Sequence, residues 1–472
     1  MSRRFAKGGL GHRAWTACAA VAFALGYAVP APVMAAVPED APAAVASLPP
    51  TPEAAAPDAL EPASGTEIAN RIESAAGLAI GGEKLHGYLL RQFYAAHDFE
   101  PVWPDRQAQA KALLGAVMRA GEHGLDPELF HAALLRNRDS LSPIDRDLLL
   151  SDAFLAYADA LARGVLPIEK RMDDEDLTPG PINVAAVLDN AIDSPDPAAA
   201  IEALAPNTPS YRALREALRA ERAGEKSRAG RLREIEVNLE RQRWLPRHLP
   251  AERVWVNLAD AKLAFYRENQ PIFTTRVIVG EVDKQSPELQ ASISGVLFNP
   301  PWYVPRSIIT NEIMPKLRRD PGYLSRHHMV WRGNGLLQQT PPSALGQIKF
   351  EMPNRFDVYL HDTPNKGLFS QGNRRRSHGC IRVQNPRELA ALLLHESVEA
   401  VGKSIALGST NRRMLPAPVP VFVVYQTAFV GSDGKIEFHP DVYDRDQEIW
   451  KRLHPPRQTP VAERGSAGQR RG

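Results

Sequence analysis

The sequence predicts an α+β chain in which a helical domain over residues 67–245 precedes a β-rich domain over 246–455. Three observations carry this reading. Up to Trp244-Leu245-Pro246 apolar residues recur at three- and four-residue spacing, the period of a helix with one buried face. Beyond that point they alternate at every second residue, the period of a strand. Between the strands lies a long stretch, about 303–354 and bounded by Asn299 and Asn354, in which Pro, Gly and charge cluster with Trp302, Tyr303 and Trp331. A connection of that length is expected to be functional, and it reads as a lid.

The elements follow in order. Arg3, Arg4, Lys7 and Arg13 precede an uncharged Ala-rich run, Ala14 to Val29, and Val33-Met34-Ala35 offers small residues for cleavage, so residues 1–35 read as an export signal. Ser2-Arg3-Arg4-Phe5-Ala6-Lys7 resembles a twin-arginine signal but is one residue short of its spacing. An uncleaved membrane anchor is the alternative, although the run is shorter than the roughly 20 residues that span a bilayer. Residues 36–66 are Pro- and Ala-rich and read as a disordered linker, and 456–472 as a disordered tail. Helical stripes are expected at Leu85, Tyr88, Leu89, Phe93 and Ala96, and again at Leu150, Phe154, Tyr157 and Leu161. Gly124-Leu125-Asp126-Pro127 supplies a turn, an N-cap and a first-turn proline, while Gly164 ends a helix. The charge-dense stretch Tyr211 to Gln242 reads as a solvated helix with intrahelical ion pairs. Strands are expected at Val254 to Leu258, Ile272 to Gly280, Ala291 to Phe298, Phe356 to His361 and Val419 to Val430. In Phe356 to His361 alternation places Phe356, Val358 and Leu360 on the core face, and Tyr359 with His361 on the other.

Charge narrows the partners. The whole chain carries +2, and removing the four basic residues of the signal leaves it near −2, so no basic excess remains for nucleic acid. A 44% hydrophobic content is ample for two domains with cores of their own.

The chemistry concentrates at Ser377-His378-Gly379-Cys380-Ile381-Arg382-Val383. The chain has two cysteines, and with Cys18 inside the signal, Cys380 is the single thiol of the mature protein. A thiol is nucleophilic as the thiolate, which an imidazole or a cationic setting promotes, and His378 and His361 are both candidate bases. Gly379 lets the backbone approach a substrate and leaves amides free for an oxyanion. The planar guanidinium of Arg382 suits a carboxylate. A metal site built from His361, Asp362, His378 and Cys380 has acceptable ligand types but lacks zinc spacing.

His361, fifteen intervening residues and then Ser377-His378-Gly379-Cys380 resemble the signature of the L,D-transpeptidase (YkuD) catalytic domain. The runs NLERQRWLP (238–246), NPPWYVP (299–305), ALGQIKF (344–350) and YLHDTP (359–364) are similar to the large periplasmic, YcbB-like branch of that family. Gly124 to Pro127 and Tyr157 to Pro167 extend the resemblance into the helical, or scaffold, domain. It implies a cysteine acyltransferase that joins diaminopimelate residues of peptidoglycan tetrapeptide stems, donor and acceptor, in the periplasm, with no cofactor and with carbapenem β-lactams as inhibitors; the alternatives are an L,D-carboxypeptidase or lipoprotein-attaching or -detaching enzyme of the same fold, and a non-catalytic wall-binding scaffold. Carried residue by residue, it implies Cys380 as nucleophile, His361 as base in preference to His378, and the backbone carbonyl of Asp362 as the group that orients the imidazole. Gly379 and Cys380 would supply oxyanion amides, Arg382 would hold a substrate carboxylate, and Tyr359, Ser377 and His378 would line the pocket. One departure is visible: the branch commonly carries a small peptidoglycan-binding module where only about twenty charge-rich residues separate Leu218 from Asn238 here.

Overall fold

Serine before proline starts a helix well, because the hydroxyl satisfies an orphan amide and the ring needs none. Ser142 accepts from the Asp145 amide at 3.1 Å, and Pro143 opens Pro143–Arg163, the central helix of the N-terminal half. The computed structural model describes residues 67–74, 77–224, 229–339 and 343–454. The export signal, linker and tail expected at 1–35, 36–66 and 456–472 lie outside these residues. Among the described residues no helix is long and apolar enough to cross a membrane.

Leu148 to Ala158 are buried on every side of the central helix, so helices Gly87–Ala95, Gln107–Met118 and Val184–Ile192 pack around it. The buried carboxylate of Asp147 is satisfied, accepting from the amides of Val102 and Trp103 at 3.0 and 2.9 Å. Tyr88, expected on the buried stripe, instead faces outward at 55% exposure, one position off the row formed by Leu89, Leu90, Phe93 and Tyr94. Gly164 ends the helix at φ +86°, and a Cβ there would stand 2.4 Å from Glu240 Oε1.

That contact exposes a correction. The Tyr211 to Gln242 stretch is two helices, Pro209–Ala223 and Ala229–Arg243, and the second is buried rather than solvated. Glu240, Arg241 and Arg243 read as surface residues, yet each has a partner inside: Glu240 with Arg243 at 2.9 Å and the Leu166 amide at 3.0 Å, Arg241 with Asp446. Asn238 exchanges two hydrogen bonds with Thr427, at 2.7 and 3.0 Å. Paired and hydrogen-bonded charge can be buried, and this helix joins the two halves of the chain. Five residues separate the two helices, which leaves no room there for an inserted module.

The second half is a closed sheet. Eight of its ten strands form the closed path, β1 Arg253–Asn257, β2 Lys262–Arg267, β3 Gln270–Gly280, β4 Glu288–Phe298, β5 Ile348–Glu351, β6 Leu360–His361, β7 Ile381–Val383 and β8 Asn411–Val424, while Glu175–Asp176 pairs with β4 and Arg375–Ser377 with β3 off that path. The order of the eight, β5-β6-β7-β3-β2-β1-β8-β4, returns to its start because β5 pairs with β4 as well as with β6. Closure removes the edges that an open sheet would expose. Val254, Val256, Leu263, Phe265, Val277, Val279, Ile293 and Val296 fill the interior, as alternation requires.

Three boundaries move, and in the first the strand expected at Val419 to Val430 stops at Val424 while Ala428–Val430 pairs separately with Ile436–Phe438. The strand expected at Phe356 to His361 is laddered only at Leu360–His361, because Asn354 builds a turn ahead of it. Its side chain accepts from the Phe356 amide at 3.1 Å and donates to the Val358 carbonyl at 2.7 Å, and Asp357 takes φ +52°. The inserted segment does not run to 354, since Ile348–Glu351 already belongs to the barrel. The insertion has a small core of its own, Val304, Ile309, Ile313, Met329 and Leu336, under the strands Trp302–Val304, Gly335–Gln338 and Met329–Arg332.

Arg445, in the helix Arg445–Leu453, is fully buried and ties both halves together. Its guanidinium meets Asp174, Glu288 at 3.3 Å, Gln285 Oε1 at 2.9 Å and the Ser286 carbonyl at 3.1 Å. Replacing it by Met leaves Glu288 buried with one cation fewer, so Arg445→Met is expected to lower the unfolding free energy by about 3–5 kcal/mol in urea denaturation. A change below about 1 kcal/mol, the scale of a surface pair, would contradict this placement.

Candidate active site

Ladder register decides which side chains meet. Lys349 on β5 is the Cα partner of His361 on β6, which is in turn the partner of Arg382 on β7. Cross-strand partners share a face, so ammonium, imidazole and guanidinium stand in one row, while Leu360 and Ile381 point into the barrel. One position earlier on the same two strands come Tyr359 and Cys380, joined by the Ile381 amide donating to the Tyr359 carbonyl at 3.1 Å. The row and the thiol line one cavity of about 900 Å³ with Ser377 and His378, roofed by Trp302, Tyr303 and Ile308 of the insertion. That volume suits a short peptide segment.

Gly379 takes φ +105°, a conformation open to glycine, and this turns the chain just ahead of Cys380. Ser286, buried beneath, donates to the Gly379 carbonyl at 2.7 Å and accepts from the Gly280 amide at 3.0 Å. Ser377 ties the loop from above, its hydroxyl donating to the Cys380 carbonyl at 2.6 Å and accepting from the Gly379 amide at 3.3 Å. The two amides expected for an oxyanion therefore differ: that of Gly379 is engaged by Ser377, and that of Cys380 carries no hydrogen bond among the described residues. Ser377 lines the cavity, but its hydroxyl serves the loop.

Electrostatics favours the uncharged forms of Cys380 and His361. Cys380 is a free, partly exposed cysteine. Burial pushes its thiol above the usual range, while contact with the Tyr359 amide and hydroxyl and the charges of Lys349 and Arg382 pull it back. Burial, and then Arg382, bring His361 down to about 3, against the backbone of Asp362 and Leu345. His361 Nδ1 is buried without a hydrogen-bond partner, so the Asp362 carbonyl lies near the ring without gripping it. The ring packs edge-on to Tyr359 at 5.6 Å between centroids. The Asp362 carboxylate has other work, accepting from the amides of Gln347 and Thr363 at 2.8 and 2.7 Å and from Lys366.

The two histidines separate. His378 turns to the insertion and pairs with Glu312, whose carboxylate Lys284 also approaches at 3.6 Å. Burial works against that carboxyl, yet His378 and the lysines hold it below its usual range. Among the described residues no group of three or more His, Cys, Asp or Glu side chains is placed to hold a metal ion. Lys349 is the site residue that the sequence did not single out, although it lies in the run 344–350, whereas Trp302 was named only as an aromatic of the insertion. Trp302 and Cys380 both reach the Tyr359 hydroxyl, whose proton burial holds more firmly than usual.

Residues 251–421 match the L,D-transpeptidase catalytic domain (YkuD), and residues 88–218 match the Scaffold domain. The chain carries an L,D-transpeptidase catalytic domain behind a scaffold domain. It is also similar to a Haemophilus influenzae protein named "Putative L,D-transpeptidase", with 35% identity over 222 residues that cover 42% of this chain and 45% of that protein. The match thus spans under half the length of that relative. Two solved structures share local likeness: an L,D-transpeptidase from Mycobacterium smegmatis (13% identity, TM-score 0.21, 37% of this chain and 58% of that one) and LdtMt1 in complex with imipenem (14%, 0.20, 37% and 59%). At those TM-scores neither bears on the chemistry.

The pH profile of the thiol checks the electrostatics of this L,D-transpeptidase domain. Alkylation of Cys380 by iodoacetamide is expected to rise through a midpoint above the ~8.5 of a free cysteine, with no inflection from His361, which is already neutral. An inflection between about 6 and 7 that His361→Gln removes would show a charged imidazole instead.

Proposed function

We propose that this protein is a periplasmic peptidoglycan L,D-transpeptidase that forms 3-3 cross-links between diaminopimelate residues through a Cys380 thioester. The supporting observation is the lone thiol of the matched domain set in a cavity beside His361 and Arg382, below an inserted roof. The Cys380 sulfur attacks the carbonyl that joins the L-centre of diaminopimelate to the terminal D-Ala, and its proton passes to His361. A buried imidazole held at about 3 keeps that proton briefly and gives it readily to the departing D-Ala amine. The C–N bond breaks, a thioester remains, and the side-chain amine of a second stem attacks it, its proton leaving through His361 and the sulfur returning as thiol. The Cys380 amide faces the charge that develops on the carbonyl oxygen, and Arg382 holds a substrate carboxylate.

His361 is the base in this reading and His378 is not, because His378 is engaged by Glu312. The insertion acts as a lid that keeps water from the thioester, which makes the enzyme a transferase rather than a hydrolase. The N-terminal signal exports it, and carbapenems acylate the same thiol.

Incubation of the purified protein with disaccharide-tetrapeptide is expected to release D-Ala and yield a cross-linked dimer by mass, with Cys380→Ser retaining less than ~1% of either. His361→Ala is expected to slow carbapenem acylation far more than His378→Ala does. Tripeptide without dimer would replace cross-linking by hydrolysis, and activity in Cys380→Ser would remove the thioester.

A further inference from the structure

Lys349 occupies a place in the cavity that the mechanism above does not use. It is half-buried, its Nζ lies 4.0 Å from the centroid of the Tyr359 ring, and the Tyr359 hydroxyl reaches the Cys380 thiol. Among the described residues neither Lys349 nor Arg382 forms an ion pair, although both line the cavity with the nucleophile. The nearest carboxylate on the same strand, Glu351, is engaged by Arg412 at 2.8 Å, and Asp357 stands exposed at the turn. An ammonium kept from water and left without a carboxylate is costly unless an anion arrives.

The usual counter-charge for a catalytic thiolate is an imidazolium. His361 does not fill that role in the resting site, because its ring is enclosed beside the Arg382 cation with Nδ1 unpartnered. Fixed cations remain, and Lys349 is the one seated on the aromatic ring that contacts the sulfur.

We propose that Lys349 is a charged positioning residue that stabilises the Cys380 thiolate across the Tyr359 ring, so that the reactive sulfur is balanced by this ammonium and not by a His361 imidazolium. The inference rests on Cys380 being the nucleophile. The charged and titratable groups facing the pair are Arg382, Tyr359, His361 and the His378–Glu312 pair around the cavity, Glu351, Asp357 and Arg412 around the ammonium, and Glu281 near Arg382. Of the cations, Lys349 acts on the thiol ahead of Arg382.

The test is the pH dependence of Cys380 alkylation in the full-length protein, read by mass on the peptide that contains Cys380 so that Cys18 does not contribute, with iodoacetamide as an uncharged reagent that no carboxylate-binding role can favour. Lys349→Met is expected to raise the midpoint by about one unit and to slow alkylation at neutral pH about tenfold, as loss of one nearby opposite charge does. Lys349→Arg is expected to restore most of the rate, and His361→Gln to leave the midpoint in place. Lys349→Gln serves as a second neutral variant should the methionine disturb folding, which thermal melting reports. An unmoved midpoint in a folded neutral variant overturns the proposal, as does a rate loss confined to iodoacetate, which would mark Lys349 as a carboxylate anchor. A midpoint raised by His361→Gln would restore the imidazolium. Alkylation needs no peptidoglycan, so a Lys349 effect without D-Ala release from tetrapeptide would leave this inference standing and remove the proposed function.

Discussion

Closure of the barrel through β5 is the constraint on which the site depends. Because β5 pairs with β4 on one side and β6 on the other, Lys349 is fixed opposite His361, and His361 opposite Arg382. Two cations therefore flank one imidazole, and the guanidinium, with burial, keeps that imidazole neutral. The same register sets Tyr359 beside Cys380, so the aromatic ring separates the sulfur from the ammonium. A slip of one residue would turn these side chains into the barrel and Leu360 into the cavity.

The Cys380 loop is supported from below by groups far away in sequence. Ser286 holds the Gly379 carbonyl, and Arg445 holds the Ser286 carbonyl and the Gln285 side chain while reaching Asp174 from the helical half. The left-handed Gly379 is thus held by a continuous set of hydrogen bonds that ends in the first half of the chain. The buried helix Ala229–Arg243 runs beside it, with Arg241 on Asp446 and Asn238 on Thr427. The scaffold and barrel halves consequently share polar contacts that neither satisfies alone.

Much of the site was legible before the fold was known. Gly379, Cys380 and Arg382 lie within four positions, and alternation alone put Tyr359 and His361 on one side of a strand. The change of period at Trp244 to Pro246 marked where helices give way to strands. Buried charge was not legible, since Glu240, Arg241 and Arg243 carry the composition of a solvated helix and their partners lie as far away as Asp446. Lys349 was hidden for a related reason: its neighbours come from ladder register, which one strand's sequence does not state. The turn at Asn354 did leave a signal, Pro353-Asn354, which shortens the strand that follows.

A covalent intermediate on one sulfur is the claim from which the rest follows. Intact-protein mass after mixing with disaccharide-tetrapeptide tests it most directly, followed by peptide mapping of the adduct. The account predicts a transient gain equal to the disaccharide-tripeptide acyl group, with D-Ala lost, located on the peptide that contains Cys380. D-Ala release without any adduct on that peptide, under conditions in which a carbapenem adduct is retained, would contradict it.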